Sequence, residues 1–170
     1  MTHDELVERA VKWLRGRHKC RVVFAEITTY ARSIPDAIGW RSLGHPCCIL
    51  VECKTSRADF KRDAIKPSHR SGRVLGRYRW YLTPPGLLTA DEVPGGWGLA
   101  EACERFVRVV VEAPDTGVPD FAAYQEETTI LLSACRRHQV GVDWNHGRAR
   151  FTPVDGELKP VKTDQREMFE

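Results

Sequence analysis

Apolar and polar residues along this chain recur in two different periods, and the switches between them mark out the elements. The stretch MTHDELVERAVKWLRG places Leu6, Val7, Ala10, Val11 and Leu14 at helical spacing, behind Thr2 and Glu5 in capping-box spacing. A helix is expected there, broken at Gly16, with Glu8 at the edge of its apolar face. Residues 20–28 are rich in β-formers, and over 34–40 the side chains of Ile34, Asp36, Ile38 and Trp40 fall on one side of a second strand. The run Cys47-Cys48-Ile49-Leu50-Val51 is apolar on both faces, as a central strand requires, and turns abruptly into Glu52-Cys53-Lys54.

Downstream, Ser56 and Asp59 repeat the capping-box spacing ahead of Phe60, so a short helix is expected to end before Pro67. A basic loop follows. Tyr78 to Thr83 reads as a fourth strand stopped by Pro84-Pro85-Gly86; 97–99 predict a short strand and 106–112 a stronger one. Pro119 and Asp120 open a last helix over about 120–138, with Ala123, Ile130, Leu131 and Ala134 inward. Beyond Gly141 the chain is polar and rich in Gly, Pro and charge, so a single domain over 1–140 and a weakly ordered tail over 141–170 are expected. Helix, three strands, helix, strand, then further strands and a closing helix describe an α/β fold, a mixed central sheet flanked by helices.

Composition narrows the function classes. With 170 residues and 42% hydrophobic content the chain can bury a core, and no apolar stretch reaches membrane-spanning length. The N-terminus is an interrupted amphipathic helix rather than an export signal, so a soluble, cytoplasmic protein without a membrane partner is expected. Six cysteines then read as reduced and mostly buried. A zinc site from His45, Cys47, Cys48 and Cys53 is the competing reading, but adjacent strand cysteines point to opposite faces and no paired CxxC is present. Net charge is only +3, which by itself names no polyanionic partner. Charge distribution is more telling: residues 54–79 hold nine Lys/Arg against two acids. Arg57, Lys61, Arg62, Lys66, Arg70 and Arg73 are therefore candidates to contact a phosphate backbone, with Ser68 and His69 beside them, although Lys61 and Arg62 also suit a solvated helix face.

The chemistry concentrates at the end of the apolar strand. Glu52 and Lys54 are two apart and project from one face, where burial without partners would cost roughly several kcal/mol. A divalent cation and a phosphate would supply those partners. Asp36, on the preceding strand, could stand beside Glu52 to form an oxygen-rich site for Mg²⁺, with Mn²⁺ as a substitute. Lys54 would then orient the attacking water or neutralise charge on the phosphate. An acid-x-Lys triplet alone is weak, since about one is expected by chance in a chain of this composition. Three occur, at Glu52, Asp59 and Glu157, but only the first ends a buried strand and follows a Pro-Asp on a separate strand.

Pro35-Asp36 and Glu52-x-Lys54 together resemble the PD-(D/E)xK nuclease superfamily. The block Val51-Glu52-Cys53-Lys54-Thr55-Ser56-Arg57-Ala58-Asp59-Phe60 is similar to small bacterial and phage members carrying VExK-x-SR-x-DF. Tyr78-Arg79-Trp80-Tyr81-Leu82, Pro85-Gly86-Leu87 and Gly98-Leu99 extend the likeness, which spans about 26–99 and leaves the tail outside. The resemblance implies a restriction-endonuclease-like core (α-β-β-β-α-β) and metal-dependent hydrolysis of DNA phosphodiester bonds, in repair, recombination or phage and defence biology. It implies Asp36 and Glu52 as metal ligands, the Cys53 carbonyl as a third, and Lys54 as catalytic. A further acid often completes such sites, and both Glu8 and Glu26 qualify: Glu26 shares a strand face with Val22 and Phe24, whereas Glu8 lies at a helix-face boundary. The alternative is a nucleic-acid-binding module that keeps the fold without hydrolysis. Endonuclease or exonuclease action and the strandedness of the substrate stay open, as does a homodimer.

Overall fold

The computed structural model describes residues 1–27, 34–42, 46–64, 75–137, 141–145 and 148–152. Its organising element is a strand, β3 (Cys47–Cys53), buried at every position, which is why the sequence there is apolar at successive rather than alternate residues. Around it lie β1 (Val22–Ala25), β2 (Ala37–Arg41), β4 (Tyr78–Thr83), β5 (Gly98–Ala102) and β6 (Val107–Val111), in the spatial order of the chain. The first three strands pair antiparallel, β3, β4 and β5 pair parallel, and β6 returns antiparallel to β5. The sheet is therefore mixed. Its parallel step from β3 to β4 is made through a helix, α2 (Arg57–Ala64), as a crossover demands.

One face of the sheet is covered by α1 (His3–Gly16). The expected capping box is present: Glu5 N–H donates to Thr2 Oγ1 at 3.2 Å and Thr2 N–H donates to Glu5 Oε2 at 2.7 Å. Leu6, Val7, Ala10, Trp13 and Leu14 pack on Cys47, Ile49, Val51, Cys53, Trp80 and Leu82; Trp13 takes the core place expected for Val11, which is only partly buried. The opposite face carries Leu50, Tyr81 and Leu99 against Phe60 of α2, and Ile38 and Cys48 against Ala123 and Ile130 of α3 (Phe121–Arg137). Asp120 caps α3, accepting from Ala123 N–H at 2.8 Å. The α/β fold with a mixed sheet flanked by helices is thus observed.

Differences are local. Cys20, Arg21, Glu26 and Ile27 lie outside β1, Thr28 is outside the described residues, and Ile34 is exposed ahead of β2 rather than part of it. A 3₁₀ turn, Ala90–Glu92, precedes β5. The chain divides into two units, Met1–Ile130 and Leu131–Glu170. Within the second unit, β7 (Gly141–Asn145) and β8 (Arg148–Thr152) pair antiparallel, where an irregular tail was expected. The alternation of Val142 and Trp144 with Asp143, answered by Ala149 and Phe151, is the period-two signal that composition concealed. The rest of the expected tail, 153–170, lies outside the described residues.

Candidate functional site

The polar end of β3 gathers charged side chains from four elements. Because β2 runs antiparallel to β3 with Ala37 opposite Val51, the residue just before β2, Asp36, arrives level with Glu52. The backbone of β3 holds it there, Cys53 N–H donating to Asp36 Oδ2 at 2.6 Å. Lys54 Nζ lies 3.0 Å from Glu52 Oε2 and 3.9 Å from Asp36 Oδ2. Asp36, Glu52 and Lys54 are therefore brought together, with Glu52 and Lys54 both buried. The Cys53 backbone lies between them, while its side chain is buried in the core under α1.

Two further residues, not expected from the sequence, join this cluster. Asp63 of α2 is 1% exposed, with Oδ1 3.2 Å from Lys54 Nζ, and Tyr81 O–H of β4 donates to Asp63 Oδ2 at 3.3 Å. The signal was present: Asp63 is one helical turn from inward-facing Phe60, so it is an acid on the buried face of a short helix. His3, the first residue of α1, places Nε2 3.5 Å from Asp36 Oδ1 and 3.9 Å from Glu26 Oε1. No spacing in the sequence links the start of a helix to a strand more than thirty residues on.

The geometry also separates the two acids left open. Glu8 is 73% exposed and pairs with Lys12 one turn on at 3.6 Å, on the solvated side of α1 and away from the cluster. Glu26 stands beside Asp36, its N–H donating to the Asp36 carbonyl at 3.2 Å. Its expected inward place on β1 is not observed. The strand ends at Ala25, and Glu26 adopts φ 50°, a left-handed conformation that a non-glycine residue holds at a cost of about 1–3 kcal/mol.

Electrostatically the cluster holds three acids, Asp36, Glu52 and Asp63, around one ammonium. Burial pushes the Glu52 carboxyl up to about 7, with Asp36 and Asp63 adding to the rise and Lys54 opposing it. Burial also works against the Lys54 charge, but Glu52, Asp63 and Asp36 more than offset it and hold the ammonium above its ordinary range. Lys54 is thus a fixed cation, and the acids exceed it in charge. Among the described residues no three His, Cys, Asp or Glu side chains converge closely enough to hold a metal unaided.

The basic residues divide. Arg57 is engaged by Glu92, and Arg62 lies 3.5 Å from Asp59, so two of the charges offered to a phosphate backbone already have acidic neighbours. Lys61 is exposed on α2. Lys66, Arg70 and Arg73, like Ser68, His69 and His45, lie outside the described residues. Cys47 and Cys48 do face opposite sides of β3, one in the core under α1 and the other beside α3.

No protein-family profile matches this chain, and no curated protein matches it. Among solved structures it is similar to the SPO1766 protein of unknown function from Silicibacter pomeroyi, with a TM-score of 0.59 at 21% identity. The match covers 82% of this chain and 91% of that one. That likeness shows a shared fold. No helix among the described residues is long and apolar enough to cross a membrane.

Proposed function

We propose that this protein is a metal-dependent nuclease hydrolysing DNA phosphodiester bonds, with Asp36, Glu52 and Lys54 as its active-site core. The observation that carries the reading is the convergence of these three side chains from two strands at the buried end of β3. An ordinary strand end has no need to gather three carboxylates, two of them buried, about one lysine, because the uncompensated charge is costly. A divalent cation would offset it, and Mg²⁺ commonly binds through one or two carboxylates while keeping several waters, which fits this donor set better than a closed cage.

Asp36 and Glu52 would hold the cation, with the Cys53 carbonyl as a further oxygen from the same stretch of backbone. Bound Mg²⁺ or Mn²⁺ supplies Lewis acidity at a phosphate oxygen and lowers the pKa of its water. Cys53 N–H orients Asp36 through Oδ2, leaving Oδ1 on the side of His3 and Glu26. Lys54, kept charged by its acidic neighbours, neutralises charge growing on the phosphate. Glu26, rather than Glu8, is the acid positioned to complete the site.

The alternative of a binding module without hydrolysis draws less support, because Arg57 and Arg62 have acidic neighbours whereas the Asp-Glu-Lys set is intact. Incubation with labelled linear, supercoiled, branched and single-stranded DNA, with Mg²⁺, Mn²⁺ or chelator, tests the choice. Cleavage that requires metal and disappears in Glu52→Ala and Lys54→Ala is expected. Failure to cut any of these substrates, with DNA bound equally by wild type and both variants, would sink the nuclease reading in favour of the binding module.

A further inference from the structure

Asp63 has no part in the Asp-Glu-Lys pattern, yet it is among the most deeply buried ionisable groups of the described residues, 1% exposed beneath α2. Burying a carboxylate so completely is costly unless it meets a charge and a hydrogen bond, and Asp63 meets both. Lys54 Nζ lies 3.2 Å from one oxygen, and Tyr81 O–H, itself fully buried, donates to the other at 3.3 Å. Tyr81 is fixed in turn, edge-on to Phe60 of α2 at 5.0 Å and stacked on Trp97 at 4.4 Å. One oxygen of the Asp63 carboxylate is therefore fixed by Tyr81, which takes no part in the Asp-Glu-Lys set, and the other faces Lys54.

We propose that Asp63 is a positioning residue for Lys54, holding the ammonium at the active site when Glu52 and Asp36 are committed to a cation. This deepens the nuclease reading and rests on it for the catalytic consequence. Lys54 Nζ lies between Glu52 Oε2 at 3.0 Å and Asp63 Oδ1 at 3.2 Å, with Asp36 Oδ2 at 3.9 Å. Of these three anions, two are the carboxylates assigned to the metal. Their negative charge would be shared once a divalent ion is bound, and their pull on the ammonium would fall. Asp63 comes from a different element, α2, and is not one of the carboxylates assigned to the metal. It is the anion able to keep the long, flexible lysine stem from swinging away from the phosphate, in the way a supporting shell fixes a reactive group.

The test uses the full chain as wild type, Asp63→Asn and Tyr81→Phe. An amine-directed acylating reagent, applied without metal and read by peptide mass spectrometry, reports how firmly Lys54 is held; cleavage kinetics with Mg²⁺ and a thermal melt complete the set. In folded Asp63→Asn, acylation of Lys54 is expected to rise about tenfold or more, since the ammonium loses the carboxylate held 3.2 Å from it. The rate constant kcat should fall about a hundredfold, the scale of a misplaced catalytic group, with KM for DNA within about twofold. Lys54 labelled at the wild-type rate, or kcat unchanged, or a loss confined to KM, would overturn the assignment. Should Asp63→Asn fail to fold, Tyr81→Phe decides: it removes one bond to Asp63 but no charge, and a rise in Lys54 labelling supports the proposal while no change overturns it. If wild type cuts no DNA, the nuclease reading falls, and the labelling alone decides whether Asp63 holds Lys54.

Discussion

Glu52 carries opposing demands, and its titration exposes them. Its carboxyl is raised to about 7, chiefly by burial, so between the unfolded value near 4.5 and 7 the folded chain binds the proton more tightly than the unfolded one. The stability this contributes is complete below about 4.5 and is lost as the pH rises through about 7. Glu52→Gln removes the group that must be ionised in the core. Urea unfolding at pH 8 should find the variant more stable than wild type by about 1–3 kcal/mol, with the gap closing towards pH 4.5, and the variant should not cleave DNA. Equal stability at both pH values would mean that Lys54 already compensates the charge. At this scale the sequence was informative where position follows from local spacing: Glu52 ends β3 with Lys54 directly after it, and Asp36, expected on a strand, arrives beside them one residue ahead of β2. It was silent on His3, whose partners are fixed by helix docking, and for Asp63 it offered only an acid one turn from inward-facing Phe60, with nothing to name Lys54 as its partner. For Glu26 it misled, since a strand was extended through a residue whose backbone turns left-handed instead.

Elements were legible where a period ran long enough to exclude the other period. Cys47–Cys53 and Tyr78–Thr83 match the expected strands, and the Thr2 and Asp120 caps start their helices as the sequence indicates. The β7 and β8 pair was hidden because each strand has only two apolar residues within a polar, Gly-bearing stretch. Close approaches between elements were also invisible, and Gly98 at the start of β5 is the clearest. A Cβ there would lie 2.6 Å from the Ala113 nitrogen and 2.7 Å from Trp80 Cε3, both closer than any packed carbon can tolerate. Trp80 is itself pinned edge-on to Trp13 of α1 at 5.0 Å, so it has little room to retreat. Gly98→Ala should therefore destabilise by about 1–3 kcal/mol through overpacking, despite the usual gain from replacing glycine. A drop in the urea midpoint with an unchanged slope would agree; a stabilised variant would show that β5 and β6 can part at no cost.

Across the whole molecule, the sheet with helices on both faces places its thiols in separate compartments, and this makes the architecture itself open to measurement. Cys20, Cys47, Cys48 and Cys53 are buried and free, whereas Cys103 is partly exposed beyond β5. Burial lifts the Cys20 thiol, with Cys47 adding to the effect, to about 11, and lifts Cys48 and Cys53 as well, so the thiolate needed for reaction is scarce even where reagent could reach. In native buffer, iodoacetamide should alkylate Cys103 readily. The four buried cysteines should react at least about a thousandfold more slowly, at a rate set by unfolding, and reach the Cys103 rate together in urea. Because Cys47 and Cys48 belong to cores on opposite faces of β3, they should become reactive in the same transition, which peptide-level mass spectrometry can resolve. Early labelling of one would mean that its helix layer opens alone. A chelator should leave the pattern unchanged; if it released Cys47, Cys48 or Cys53 selectively, a thiolate-bound metal would have to be part of the fold.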